Sequence, residues 1–249
     1  MTTSTHATPS SPTDTMTRIG IIGGMSWHSS VDYYAHLNRG VAERLGGHHF
    51  ADLVLASLDF GKVRAAQVSG DWDGAGRLLA DAGRRLEAAG AEAVLIATNL
   101  MHKVAGAVED ALDVPLLHIG DAVAAAALAD GHRTLGLVGT RWVMEETFYA
   151  DRLARHGLGC VVPGPEQREM VDRVVFDELT LGVVREESRL AYAEVFADLA
   201  ARGADAIVLA CTEIQMLVGA ADSPVPLLDS MAAHAAYALD VALGDRVPA

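Results

Sequence analysis

Three pairs of segments recur in the same order along this chain. RIGIIGG at 18–24 is echoed by TLGLVGT at 134–140, GAEAVLIATN at 90–99 by GADAIVLACT at 203–212, and VPLLH at 114–118 by VPLLD at 225–229. The offsets are 116, 113 and 111 residues. One match is cheap by chance; three in the same order argue for two related halves. Within each half, short apolar runs alternate with longer amphipathic stretches, the pattern of parallel strands covered by helices. Strands are expected near 18–23, 52–58, 92–97, 115–118, 134–138, 159–162, 205–210 and 226–228. The expected fold class is therefore α/β: two pseudo-symmetric lobes, each a parallel sheet flanked by helices, with an active site in the cleft between them. Residues 18–117 plus 227–249 are assigned to the first lobe, 118–226 to the second, and 1–17 to a disordered tail.

Composition narrows the function. A formal net charge of −14 disfavours a nucleic-acid or anionic-membrane partner. No apolar run is long enough to cross a bilayer. The opening MTTSTHATPSSPTDTMTR is Ser/Thr/Pro-rich and lacks the apolar core of a secretion signal. Two cysteines cannot build a disulfide framework, so two free thiols in a reducing cytoplasm are expected.

In open α/β sheets, ligands bind beyond the carboxyl ends of the strands. The duplication places Thr98 and Cys211 at equivalent strand ends, one from each lobe. That arrangement suits chemistry on both faces of a small molecule. Cys211 precedes TEIQMLV, read as a helix start whose amides would favour a thiolate or attract a carboxylate. The bland alternative is an inert buried cysteine. Cys160, inside a short apolar strand, fits that alternative. Thr98 reads as a helix cap or as a hydroxyl needing a partner to take its proton. His102, one helical turn along, is a candidate partner or a cleft-lining residue. The loops GGMSW at 23–27 and GTRW at 139–142 offer glycine backbone and the hydroxyls of Ser26 and Thr140 to an anion.

Neither a G-x-G-x-x-G fingerprint nor a P-loop lysine occurs, so a nucleotide cofactor is disfavoured. No spacing suggests a metal; the pair in GGHHF at 46–50 reads as surface. Arg168 and Arg173 are either a cation for a second substrate carboxylate or a solvated helix face.

Together, IGIIGGMSW, ATNLMHKVA, LLHIGDA, LGLVGTRWVME and LACTEI resemble the aspartate/glutamate racemase superfamily, closest to a branch whose first motif reads T-N-x-M-H-K. The resemblance runs from Arg18 to about residue 243. It implies cofactor-independent proton transfer at the α-carbon of an amino acid, usually by one cysteine from each half. The second catalytic cysteine falls on Cys211; the first falls on Thr98, a departure shared with atypical members of the branch. Asn99 matches the residue that binds the substrate carboxylate. Thr212 and Glu213 match the positions after the second cysteine, and Met25 and Ser26 the first loop. Leu100 replaces a common threonine and removes a hydroxyl donor. The implied protein is a cytoplasmic homodimer acting on an amino-acid or dicarboxylate substrate, with aspartate or glutamate first. The thiol on only one side keeps two alternatives open: a single-cysteine decarboxylase or isomerase of a dicarboxylic acid, or a degenerate amino-acid-binding protein.

Overall fold

The computed structural model describes residues 16–248. Its eight strands form two four-stranded sheets, all parallel. The first has the order β2-β1-β3-β4, from β1 (Ile19–Gly23), β2 (Leu53–Ser57), β3 (Ala93–Ile96) and β4 (Leu116–Leu117). The second has the order β6-β5-β7-β8, from β5 (Thr134–Gly139), β6 (Gly159–Val161), β7 (Ala206–Ala210) and β8 (Leu227–Asp229). The strand order of one half repeats in the other, as the segment repeats predict.

Helices cover the sheets. The first half contributes α1 (Trp27–Leu45), α2 (Phe60–Ser69), α3 (Trp72–Ala88) and α4 (Ala105–Glu109). Then follow α5 (Ile119–Ala129), α6 (Arg141–Glu145), α7 (Phe148–Arg155), α8 (Pro165–Asp177) and α9 (Glu186–Ala201). The chain ends with α10 (Ser230–Ala242), which packs on α1 and α5.

Because both sheet faces are covered, the strands read as continuous apolar runs, yet alternate residues serve different cores. In β3, Ala93 and Leu95 join α1 and α10 in one cluster, while Val94 and Ile96 face a second. In β7, Ile207 and Leu209 pack under α8 and α9, while Ala206 and Val208 face that same second cluster. The shared cluster, with Leu79 of α3, Val123 of α5 and Tyr149 of α7, ties the halves together. A polar tie joins two of these helices. Asp121 of α5 accepts from Arg152 of α7 and pairs with His156, both at 2.7 Å. Burial alone would raise the Asp121 carboxyl, but these two partners hold it below its ordinary range.

Two boundaries differ from the sequence reading. Leu227–Asp229, assigned to the first lobe, pair with β7 in the second sheet, and only from Ser230 does the chain return to the first half. Asp229 makes that transition abrupt: it ends the strand and caps α10, accepting from the amides of Met231 and Ala232. Residues 1–15 of the expected tail lie outside the described residues. Thr17, also assigned to the tail, donates its amide to Ala242 O at 2.9 Å and so belongs to the folded body.

Candidate active site between the two sheets

Both sheets reverse their winding between the first strand and its inner neighbour, β1 and β3 in one half, β5 and β7 in the other. Crevices form at such switch points because adjacent loops leave in opposite directions. The two crevices face each other and enclose a cavity of about 60 Å³. The loop after β1 supplies Met25 and Ser26, and the end of β3 supplies Thr98, Asn99 and Leu100. Thr140 follows β5, and Ala210, Cys211, Thr212 and Glu213 follow from β7. The sequence reading missed Ser29 of α1, also in the lining. Its only signal was the hydroxyl-rich run SWHSS after the first loop.

Cys211 sits in a chain of hydrogen bonds. Its thiol donates to Glu213 Oε2 at 3.1 Å, and the Thr212 hydroxyl donates to the same oxygen at 2.8 Å. Ser29 Oγ lies 3.0 Å from Thr212 Oγ1. Since the Thr212 proton is committed to a carboxylate, Ser29 is the donor to Thr212, and the chain links the two halves. Burial, followed by the charge and hydrogen bond of Glu213, pushes the Cys211 thiol well above its ordinary range. The expected helix start after Cys211 is not there. Ile214–Met216 form one 3₁₀ turn, and Gly219 and Pro224 lie too close for a helix to propagate. With no helix behind it, the Glu213 amide alone favours the thiolate, and burial with the Glu213 carboxylate outweighs it.

Thr98 has different surroundings. His102 Nδ1 lies 2.8 Å from Thr98 O, and the Ile119 amide donates to His102 Nε2 at 3.1 Å. Nε2 must therefore be the unprotonated nitrogen, and Nδ1–H donates to the Thr98 carbonyl. Burial, then the neighbouring His118 and His234, keeps the ring neutral by lowering its pKa well below the ordinary value. His102 does not line the cavity, contrary to expectation. It braces the main chain of Thr98 from behind and does not meet the Thr98 hydroxyl.

Asn99 lines the cavity, and its amide also spans the halves: Nδ2 donates to Ser230 Oγ at 3.0 Å, and Tyr149 donates to Oδ1 at 3.3 Å. Ser230 in turn donates to Leu209 O at 2.7 Å, at the end of β7. One Asn99 N–H remains for a ligand. The Thr140 hydroxyl is buried at 9% exposure and has no partner among the described residues. An unpaired polar atom on a cavity wall is a ready site for a ligand oxygen.

The glycines of the first loop serve the turn more than a ligand. Gly24 has φ +86°, a Cβ there would meet Leu58 O at 2.3 Å, and its amide is taken by Ser30 Oγ. Neither Arg168 nor Arg173 lines the cavity. Arg168 lies 3.5 Å from Glu145 and donates to Pro163 O, and Arg173 is exposed on α8. Lys103 turns away as well, pairing with Glu146 and covering the Trp72 ring at 4.0 Å. Cys160 is pushed up to about 11 by burial in β6. His48 and His49 are exposed. No helix among the described residues is long and apolar enough to cross a membrane.

The fold is shared with known proteins. A candidate Asp/Glu racemase from Yersinia pestis shares 45% sequence identity with this chain, over 92% of it and 100% of its own length, at a TM-score of 0.88. An aspartate racemase homologue from Pyrococcus horikoshii OT3 shares 31%, over 91% of this chain and 99% of its own, at 0.78. Glutamate racemase from Francisella tularensis, solved with D-glutamate, shares 14% over 94% of this chain and 83% of its own, at 0.62, a likeness of fold. The model of the Asp/Glu/Hydantoin racemase family matches residues 22–238, nearly the whole folded body, and the chain belongs to that family.

Proposed function

We propose that this protein is an isomerase of the aspartate/glutamate racemase type that inverts the α-carbon of an amino acid, with Cys211 and Thr98 moving the proton on opposite faces. The observation that carries the reading is the single cavity where the equivalent ends of β3 and β7 meet, with Thr98 on one wall and Cys211 on the other.

The substrate's α-carboxylate is taken by the unpaired Thr140 hydroxyl and the free Asn99 N–H. These donors also stabilise the negative charge that spreads onto the carboxylate as the α-proton leaves. On one face, Glu213 accepts the Cys211 proton and the thiolate removes the α-proton. On the other, the Thr98 hydroxyl gives its proton to the carbanionic carbon as it takes one from a solvent water, so it acts as a relay and is left neutral. In the reverse direction the α-proton leaves through Thr98 to solvent hydroxide, and the Cys211 thiol, already protonated, donates. The two side chains supply base and acid themselves, so the reaction as proposed draws on no cofactor. The cavity of about 60 Å³ is far below the ~300 Å³ at the small end of ligand pockets. The halves therefore part to admit substrate and close over it, excluding water from the carbanion.

The test is exchange of the α-proton for deuterium in D₂O, followed by NMR across L- and D-amino acids, with chiral chromatography of the products. Exchange with inversion in the wild type, and its loss in Cys211→Ala, is the expected result. Normal racemisation by Cys211→Ala overturns the reading.

A further inference from the structure

A second cavity, of about 790 Å³, opens outward from the first. Ser26, Ser29, Thr212 and Glu213 line both, so the larger space is the vestibule of the smaller. Both halves build it. Trp27 and Val31, one turn apart on α1, and Phe60 at the start of α2 form one wall; Leu179 and Met216 form the other. On α1 Trp27 and Val31 face outward, while Tyr33, Leu37 and Val41 enter the core. Trp27, Val31 and Met216 are each at least half exposed, at 62%, 53% and 50%. This apolar surface sits at the mouth of a polar site and is not covered by any of the described residues.

Acidic side chains outnumber basic ones around it. Glu213 stands at the junction of the two cavities and Asp32 lines the vestibule, no lysine or arginine lines either space, and His28 is the one basic side chain on the wall. A carboxylate brought here would meet two anions against at most one histidine, on a wall that is mainly apolar. The inner cavity has room for the reacting centre alone, so whatever the α-carbon carries must extend into the vestibule.

We infer that the vestibule is the side-chain subsite of the proposed racemase, and that its substrate carries an uncharged apolar side chain, methionine- or leucine-sized or larger, rather than a second carboxylate. This rests on the racemase reading above. The occupant follows from continuity with the inner cavity, from the apolar walls and from the excess of acidic over basic side chains.

Two measurements test it on the intact protein: α-proton exchange in D₂O, and thermal stabilisation by ligand, each with methionine, leucine and phenylalanine against aspartate and glutamate. The apolar set is expected to exceed the acidic set by at least about tenfold in kcat/KM. Met216→Arg, and independently Val31→Lys from the opposite wall, are expected to move that ratio toward aspartate and glutamate by about tenfold or more. Either variant alone decides the point if the other fails to fold. A wild type that prefers acidic substrates overturns the inference, as does a ratio indifferent to both new cations. So does a solution dimer in which a second copy covers the vestibule. If no amino acid exchanges its α-proton but the apolar set alone stabilises the fold, the racemase reading falls and the subsite stands. If neither set stabilises or exchanges, both fall.

Discussion

The ends of β3 and β7 occupy equivalent places in two sheets of identical strand order, yet they present opposite chemistry to the cavity. Beside β7, the reactive atom itself is engaged: the Cys211 thiol donates to Glu213, with Thr212 and Ser29 behind it. Beside β3, the side chain is left to the cavity and the main chain is engaged, through His102 on the Thr98 carbonyl. One half engages a thiol; the other engages a carbonyl. A duplicated scaffold can thus keep its backbone symmetry and divide the work, because strand order is set by apolar packing while acidity is set by a few polar neighbours.

The largest expected effect comes from removing the thiol. Cys211→Ala should lower kcat by about 10³-fold or more in both directions, since each needs this atom as base or acid. An assay from each enantiomer checks it. Thr98→Ala should cost about 10²-fold in racemisation while leaving Cys211 able to exchange the α-proton of one enantiomer without inverting it. Deuterium uptake with retention is the signature.

Thr98→Cys makes the comparison symmetrical. A thiol ionises far more readily than an aliphatic hydroxyl, which does not titrate in the accessible range. The two kcat values, expected to differ strongly in the wild type, should approach one another. Equilibrium requires the two kcat/KM values to balance in both proteins, so the change appears in kcat and KM separately.

Glu213→Gln removes both the proton acceptor and the anion that helps raise the thiol. In the direction where Cys211 is the base, the wild type passes the thiol proton to Glu213 within the site, whereas the variant must lose it to solvent. The variant rate should therefore climb with pH through the neutral range, from a reduced value, while the wild-type rate does not. Identical pH profiles in the two proteins deny Glu213 any part in the thiol's ionisation.

His102→Gln should act more gently, with about tenfold lower kcat and a steadier KM, because the Thr98 main chain loses its brace. Part of any stability loss, on the order of 1–3 kcal/mol, would come from the Ile119 amide left without an acceptor. The smallest effect on catalysis, but one that separates the halves, is acid sensitivity. His102, His118 and His234 are buried together behind Thr98. Burial holds His234 down to about 4, and burial aided by Arg152 holds His118 down to about 2, both from 6.5. The unfolded chain binds these protons first as pH falls. Stability is therefore full above about 6.5 and is lost progressively as pH drops toward 4. Hydrogen exchange should show the amides of β4 and α10 opening before those of β6 and α8 as pH is lowered.

Much of this was legible in the residues. The repeated apolar segments foretold both sheets and the placement of Thr98 and Cys211 at matching strand ends. The loop hydroxyls Ser26 and Thr140 and the polar residues Asn99, Thr212 and Glu213 all reached the cavity. The errors fell where distance along the chain hides proximity. Ser29 finds Thr212, 183 residues away, and Ser230 joins Asn99, 131 residues away. His102 looked like a neighbour of the Thr98 hydroxyl at one helical turn, but the 3₁₀ turn at Leu100–Val104 aims it at the carbonyl.

What the sequence determined by itself was the duplicated, parallel α/β architecture and the roster of groups at the strand ends. Apolar periodicity and turn residues act over a few positions, and a repeat announces its own symmetry. Only the tertiary structure decided that Cys211 rests protonated, that the His102 ring carries its proton on Nδ1, that the Thr140 hydroxyl is unpaired, and that an apolar vestibule without lysine or arginine adjoins the site. Each depends on burial and on which groups come within hydrogen-bond reach, and a pKa or a cavity wall exists only once the chain has closed around it.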